Sequence, residues 1–158
     1  MQLTIISTSI GYLGSGKGGG VELTLNSLVS GLLELGHSIK VIAPVNSKLS
    51  INCNEAELFC VDGDEQESWQ HQEYYSPAIV SKDSIVSAML EEAISVGNDS
   101  DVIVNLSYDW LPINRTLDLK IPLAHLISMG DESFAMKNII SEVHEKFKYN
   151  FAFHSKAQ

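Results

Sequence analysis

Strand-like apolar segments and helix-like amphipathic segments alternate along this chain, and that alternation constrains the fold more than any other feature. Residues 3–7 form the first strand-like segment, residues 21–35 repeat leucine and valine at helical spacing, and residues 38–43 form the next strand-like segment. Such a β-α-β unit has parallel strands and a right-handed connection. The sequence therefore predicts an α/β fold with a doubly wound, mostly parallel, Rossmann-like sheet.

The same pattern returns in the second half of the chain. Further elements are predicted in this order: a strand at 58–61, a helix that opens at Asp83 and runs to 94, strands at 101–106 and 122–127, a helix over 131–147, and a strand at 149–153. The chain has 158 residues, of which 44% are hydrophobic. This length suits one domain, spanning 1–158, and is too short for two.

Residues 45–82 lack a clear period, and two interpretations of this segment stay open. It carries many acidic residues and has no lysine or arginine between Lys48 and Lys82, which is typical of a solvated excursion. Alternatively, Trp69, Tyr74 and Tyr75 form an aromatic lid that covers a flat ligand.

The main functional signal is the glycine loop, residues 14–20, between the first strand and the first helix. Glycine tolerates backbone conformations that let the main chain approach a ligand closely. The first turn of the following helix adds unpaired N–H groups and the positive end of the helix dipole. The loop therefore predicts a binding site for a phosphate or a diphosphate.

Two common phosphate loops do not match this one. A Walker loop has Lys followed by Ser or Thr at the helix start, whereas Lys17 is followed by three glycines and then Val21. A dinucleotide fingerprint is formally present at Gly14, Gly16 and Gly19, but it begins several residues after the strand, and the second strand does not end in an acidic residue.

The run Gly18-Gly19-Gly20-Val21-Glu22, the leucine-rich helix after it and the segment 35–44 resemble the amino-terminal half of a retaining glycosyltransferase with two Rossmann-like domains. Within that family, residues 9–16 are similar to the cyanobacterial enzymes that glucosylate tetrahydropterins. The resemblance covers roughly the first quarter of the chain.

This resemblance implies transfer of a sugar, glucose in the first instance, from a nucleotide-diphosphate sugar such as UDP-glucose to a small acceptor such as a tetrahydropterin, with retention of configuration. A lipid or a soluble sugar is the main alternative acceptor within the family. In the family most nucleotide contacts, the basic residues at the diphosphate and a carboxylate pair come from a carboxyl-terminal domain that 158 residues cannot include. We therefore expect a truncated, acceptor-side domain that is inactive alone and needs no cofactor or metal.

Candidate site residues are those at the carboxyl ends of the predicted strands, where open parallel sheets bind ligands. Asp109 is the catalytic candidate, although it could equally begin a short helix. The donor phosphate is assigned to Gly18, Gly19, Gly20 and Val21. The acceptor is assigned to Glu22, Tyr108, Trp110, Ser128, Met129 and Asp131.

Two further assignments have competing explanations, and one position departs from the family. Glu22 would also be favourable in the first turn of a helix, and Asp131 would also be a good N-cap. Ser128 stands where members of the family often carry a histidine. His125 lies within the predicted strand instead, where a hydrogen-bonded core residue is the more common finding.

The amino-acid composition limits which molecules this protein is expected to bind. A net charge of −10 argues against nucleic acid and anionic membranes, which both need basic patches. No apolar run approaches the length of a membrane span, and Met1 leads directly into a strand without a signal segment, so we expect a cytoplasmic protein with Cys53 and Cys60 as free thiols. A non-catalytic nucleotide- or phosphate-binding module is the leading alternative function, and a scaffold whose loop is only structural is the third.

Overall fold

The computed structural model describes residues 1–65, 67–69, 71–129 and 133–154. Its strands are β1 (Gln2–Ile6), β2 (Ser38–Pro44), β3 (Glu57–Val61), β4 (Val102–Asn105), β5 (Leu123–Ile127) and β6 (Phe151–Phe153). Its helices are α1 (Gly20–Glu34), α2 (Ile85–Val96), α3 (Trp110–Arg115) and α4 (Phe134–Phe147). Short 3-10 turns lie at Ile51–Cys53 and Lys148–Asn150.

The strands form one sheet in the order β3-β2-β1-β4-β5-β6. All five neighbouring pairs are parallel, with Leu3 of β1 opposite both Ile39 of β2 and Val102 of β4. The chain runs outward from β1 to β3 and then returns to β4 on the other side of β1, so the order reverses between β1 and β4. This arrangement confirms the predicted doubly wound α/β sheet, and it creates a crevice at the switch point.

The two faces of the sheet are covered separately. Leu3 and Ile5 of β1 pack in one cluster with Leu25 and Val29 of α1, whereas Ile6 packs in a second cluster with α2. Successive side chains of a strand point to opposite faces, so α1 and α2 lie on opposite sides of the sheet. The helix α3 contacts both α2 and α4, which places these three helices on the same side.

Helix ends follow local hydrogen bonding. Helix α1 ends where Gly36 adopts a φ of 80°, and the N–H groups of Gly36 and His37 donate to carbonyls of its last turn. Helix α2 is capped by Ser84, whose hydroxyl accepts from the Ser87 N–H, so the prediction of Asp83 as N-cap was wrong by one residue. Helix α4 is capped by Ser133, while the competing prediction for Asp131 lies outside the described residues.

The excursion between β3 and α2 is anchored to the core by Trp69. Its side chain is only 2% exposed and packs against Ile113, Ile127 and α4. Tyr74 and Tyr75 pack edge to face with a centroid separation of 4.9 Å, and both also contact Phe134. An aromatic lid that includes Trp69 is therefore wrong, because the indole is a core side chain.

None of the helices in the described part of the chain is both long and apolar enough to cross a membrane. Cys53 is buried, Cys60 is exposed, and both are free thiols as predicted.

Candidate functional site

A cleft of about 710 Å³ lies at the switch point of the sheet, where the carboxyl ends of β1 and β4 meet the start of α1. We call it the switch-point cleft. Its described lining consists of Thr8, Ser9, Ile10, Lys17, Gly18, Gly19, Gly20, Val21, Thr24, Ser68, His71, Leu106, Tyr108, Ser128, Met129 and His154. The four residues predicted to bind the donor phosphate, 18–21, therefore all line one cavity.

The glycine loop presents bare backbone to this cleft. Gly19 is the N-cap of α1 with a φ of 55°, a left-handed conformation that favours glycine. A Cβ built at Gly19 or Gly20 would meet no atom within 4 Å, so side chains there would occupy open space. The Gly20 N–H makes no hydrogen bond within the described part of the chain. The helix start therefore offers an unpaired amide to a ligand.

Glu22 is directed into the glycine loop rather than into the cleft. One carboxylate oxygen accepts from the Gly14 N–H at 2.8 Å, and the other accepts from the Gly18 N–H at 2.9 Å. The residue is 8% exposed. Glu22, predicted to bind the acceptor, therefore does not belong to the described lining of the cleft, and both of its oxygens bind the loop itself.

The charge in the cleft contrasts with the charge of the chain. The net charge is −10, yet no aspartate or glutamate belongs to the described lining. Lys17, His71 and His154 do line it. The Lys17 ammonium lies 3.7 Å from Glu65, in a pair with both side chains largely exposed. Such a pair contributes little to stability, so Lys17 can turn towards a bound anion at small cost.

A buried polar network supports the cleft from below. The hydroxyl of Ser9 lies 3.2 Å from that of Ser107, and the Asn105 side chain bonds both the N–H and the carbonyl of Ser107. The Asn105 amide also donates to His125 Nδ1 at 3.1 Å, and His125 Nε2 lies 2.7 Å from the Thr116 hydroxyl. The two bonds to Ser107 fix the orientation of Asn105, and that orientation makes His125 Nδ1 an acceptor.

His125 is therefore a neutral imidazole with its proton on Nε2. It is 1% exposed, and burial lowers the pKa of His125 to about 4. This result agrees with the prediction of a hydrogen-bonded core residue.

Asp109 does not reach the cleft. It caps α3 by accepting from the Leu111 N–H at 3.2 Å, and it accepts from Trp69 Nε1 at 3.1 Å. The residue is 2% exposed, and burial raises the pKa of its carboxyl above the ordinary value. The structure thus gives Asp109 the helix-opening role, and its carboxylate does not belong to the described lining of the cleft.

The other predicted acceptor residues are divided by the structure. Tyr108, Ser128 and Met129 line the cleft, and the Ser128 Oγ is buried with no hydrogen-bond partner among the described residues. Trp110 does not line the cleft, because it begins α3 and packs against the cluster that contains Trp69. The prediction for Asp131 lies outside the described residues.

Several lining residues were not predicted as site residues. Thr24 lies one helical turn after Gly20, so the spacing of four residues could have identified it. Ser68 and His71 come from the excursion, where no periodic pattern indicated which side chains would face the cleft.

No group of three or more histidine, cysteine or acidic side chains that could bind a metal ion occurs among the residues described. The sequence matches no protein-family model, and it has no significant match among curated proteins.

Proposed function

We propose that this chain is the acceptor-side domain of a retaining glycosyltransferase, and that the switch-point cleft receives the diphosphate of a nucleotide-diphosphate sugar such as UDP-glucose. The observation that carries the proposal is the unpaired Gly20 N–H at the start of α1, in a cleft with no described carboxylate. A diphosphate needs N–H donors and a favourable potential, and the helix start supplies both.

Lys17, His71 and His154 add donors around the same cavity. In a chain of net charge −10, a cleft whose described lining lacks acidic side chains favours an anionic ligand. The Ser128 Oγ, which has no partner in the described part of the chain, can donate to a phosphate or a sugar hydroxyl.

The acceptor in this proposal is a small molecule, with a reduced pterin as the specific candidate. Tyr108 is the aromatic residue of the described lining on which a pterin ring can stack. Neither tryptophan is available for this purpose, since Trp69 is in the core and Trp110 packs beside it.

A second candidate function is a non-catalytic nucleotide- or phosphate-binding module. The position of Asp109 favours it, because the carboxylate expected to act as acid or base caps a helix instead. Under the transferase proposal, the basic residues and the carboxylate pair belong to a separate carboxyl-terminal domain. The present chain on its own then binds ligands without turning them over.

The proposal is tested by calorimetric titration of UDP and of uridine into the wild type, Gly20→Val and Gly31→Ala. UDP is expected to bind more tightly than uridine, and Gly20→Val is expected to remove that difference, because the new side chain would occupy the space in front of the helix start. Gly31 lies in the same helix with open space around its Cβ position, so Gly31→Ala serves as a matched control. Equal affinity for UDP and uridine in the wild type would contradict the proposal.

A transfer assay on a longer protein that includes a second domain separates the two candidates. Glucosyl transfer from UDP-glucose supports the transferase, and UDP binding without any transfer supports the module.

A further inference from the structure

The Glu22 carboxylate is surrounded by hydrogen-bond donors from the glycine loop. The Gly14 and Gly18 N–H groups donate to its two oxygens at 2.8 and 2.9 Å, and the Ser15 hydroxyl lies 3.4 Å from one of them. Glu22 is the third residue after the N-cap Gly19. From this position a glutamate usually reaches back to the N-cap amide, whereas here it reaches further back into the loop.

Backbone N–H groups of a glycine-rich turn can together form an anion site. In this loop the amides of Gly14 and Gly18, four residues apart, donate to the two oxygens of one carboxylate, that of Glu22. A Cβ at Gly18 would lie 2.9 Å from the Glu22 Cγ and 2.7 Å from the Thr8 Cγ2. Glycine at position 18 is therefore required for the carboxylate to enter.

We propose that Glu22 is a positioning residue that acts as an internal anion. It fills the anion site of the glycine loop and fixes the loop so that the Gly20 N–H is the amide offered to a ligand. This inference rests on the proposed binding of an anion in the switch-point cleft. Its consequence is that a ligand phosphate binds beside the loop at the start of α1 and is not enclosed by the loop amides.

An internal anion can be replaced by an external one, which allows a chemical rescue experiment. Glu22→Ala is expected to weaken UDP binding by about tenfold or more, because loss of charge-assisted hydrogen bonds leaves the loop amides unpaired. Sodium formate, whose carboxylate fits the vacated position, is expected to restore most of the affinity. Sodium chloride at equal ionic strength controls for electrostatic screening. Glu34 is an exposed glutamate in the same helix, and Glu34→Ala is expected to leave UDP affinity unchanged.

Glu22→Gln provides a second variant that keeps the size of the side chain. Its amide nitrogen would face an N–H donor, so we expect a similar loss of UDP affinity that formate does not rescue, since the site remains filled. If Glu22→Ala does not fold, the comparison of Glu22→Gln with the wild type still tests the inference.

The amide NMR signals of Gly14 and Gly18 give a measurement that does not depend on UDP. Both signals are expected to shift in Glu22→Ala and to return towards their wild-type positions with formate. Unchanged signals, or UDP affinity equal to the wild type in both variants, would overturn the role of Glu22. A wild type that binds no UDP while the two signals behave as expected would refute the proposed function and retain the internal anion.

Discussion

Acidification should destabilise this protein through His125. The imidazole is 1% exposed, and burial lowers its pKa from 6.5 to about 4. Because the folded pKa is depressed, protons bind the unfolded chain first, so the contribution of His125 is fully present above about pH 6.5 and is lost as the pH falls towards 4. Below that pH both states bind the proton and the loss levels off.

The size of this effect follows from the shift. A difference of about 2.5 pKa units corresponds to about 3 kcal/mol once the pH reaches the folded value. The loss is transmitted to the cleft, since a charged imidazole can no longer accept from Asn105, which holds Ser107 against Ser9.

His125→Gln isolates this contribution from the titration of the carboxylates. Glutamine does not titrate, so the variant lacks this pH-dependent contribution. Between about pH 7.5 and pH 4.5, the decrease in its free energy of unfolding should be smaller than that of the wild type by about 2 to 3 kcal/mol. Urea denaturation followed by circular dichroism at the two pH values measures the difference. If the free energy of unfolding decreases equally in both proteins, His125 is not a buried neutral imidazole in the folded state. This conclusion does not depend on the variant's stability at pH 7.5.

Three further predictions concern the site. Asp109→Asn should cost about 1 kcal/mol in urea denaturation, because the amide nitrogen replaces one of the two carboxylate oxygens that accept from the Leu111 N–H and from Trp69. The variant should leave UDP affinity unchanged, and a hundredfold loss of transfer in a longer protein would support a catalytic role for Asp109. Gly18→Ala should lower the free energy of unfolding by about 1 to 3 kcal/mol, since its Cβ would overlap Thr8 and Glu22. Gly20→Ala should change the free energy of unfolding by no more than about 0.5 kcal/mol. Equal effects of the two substitutions would contradict the conformation of the loop. The isolated chain should bind UDP-glucose without hydrolysing or transferring it in a product assay, and enzyme-like turnover would refute the division between two domains.

The fold was predictable because apolar periodicity is a property of the chain itself. Each predicted strand and helix is present, and the boundaries agree to within three residues. Where the boundaries differ, neighbouring polar residues compete: Asp83 and Ser84 can both cap a helix, and only the tertiary placement of α2 selects Ser84.

The site was predictable only at the level of the backbone. Parallel strands bring their carboxyl ends to one edge, so the glycine loop, Tyr108 and Ser128 were correctly brought to one cleft. The direction of a side chain at a strand end depends on the turn that follows. Asp109 accepts from the Leu111 N–H two residues later, which is the helix-opening alternative, and Glu22 reaches back to the loop. Spacing along the chain did not decide between these directions and the cleft.

Binding of a diphosphate at the start of α1 can be followed by titrating UDP into the isotope-labelled chain and recording backbone amide shifts. We expect the largest shifts at Gly19, Gly20 and Val21, smaller ones at Ser128 and Met129, and none at the opposite edge of the sheet, where Gln2 contacts Asp101. Shifts confined to that opposite edge, or no shifts at millimolar UDP, would contradict binding at this site.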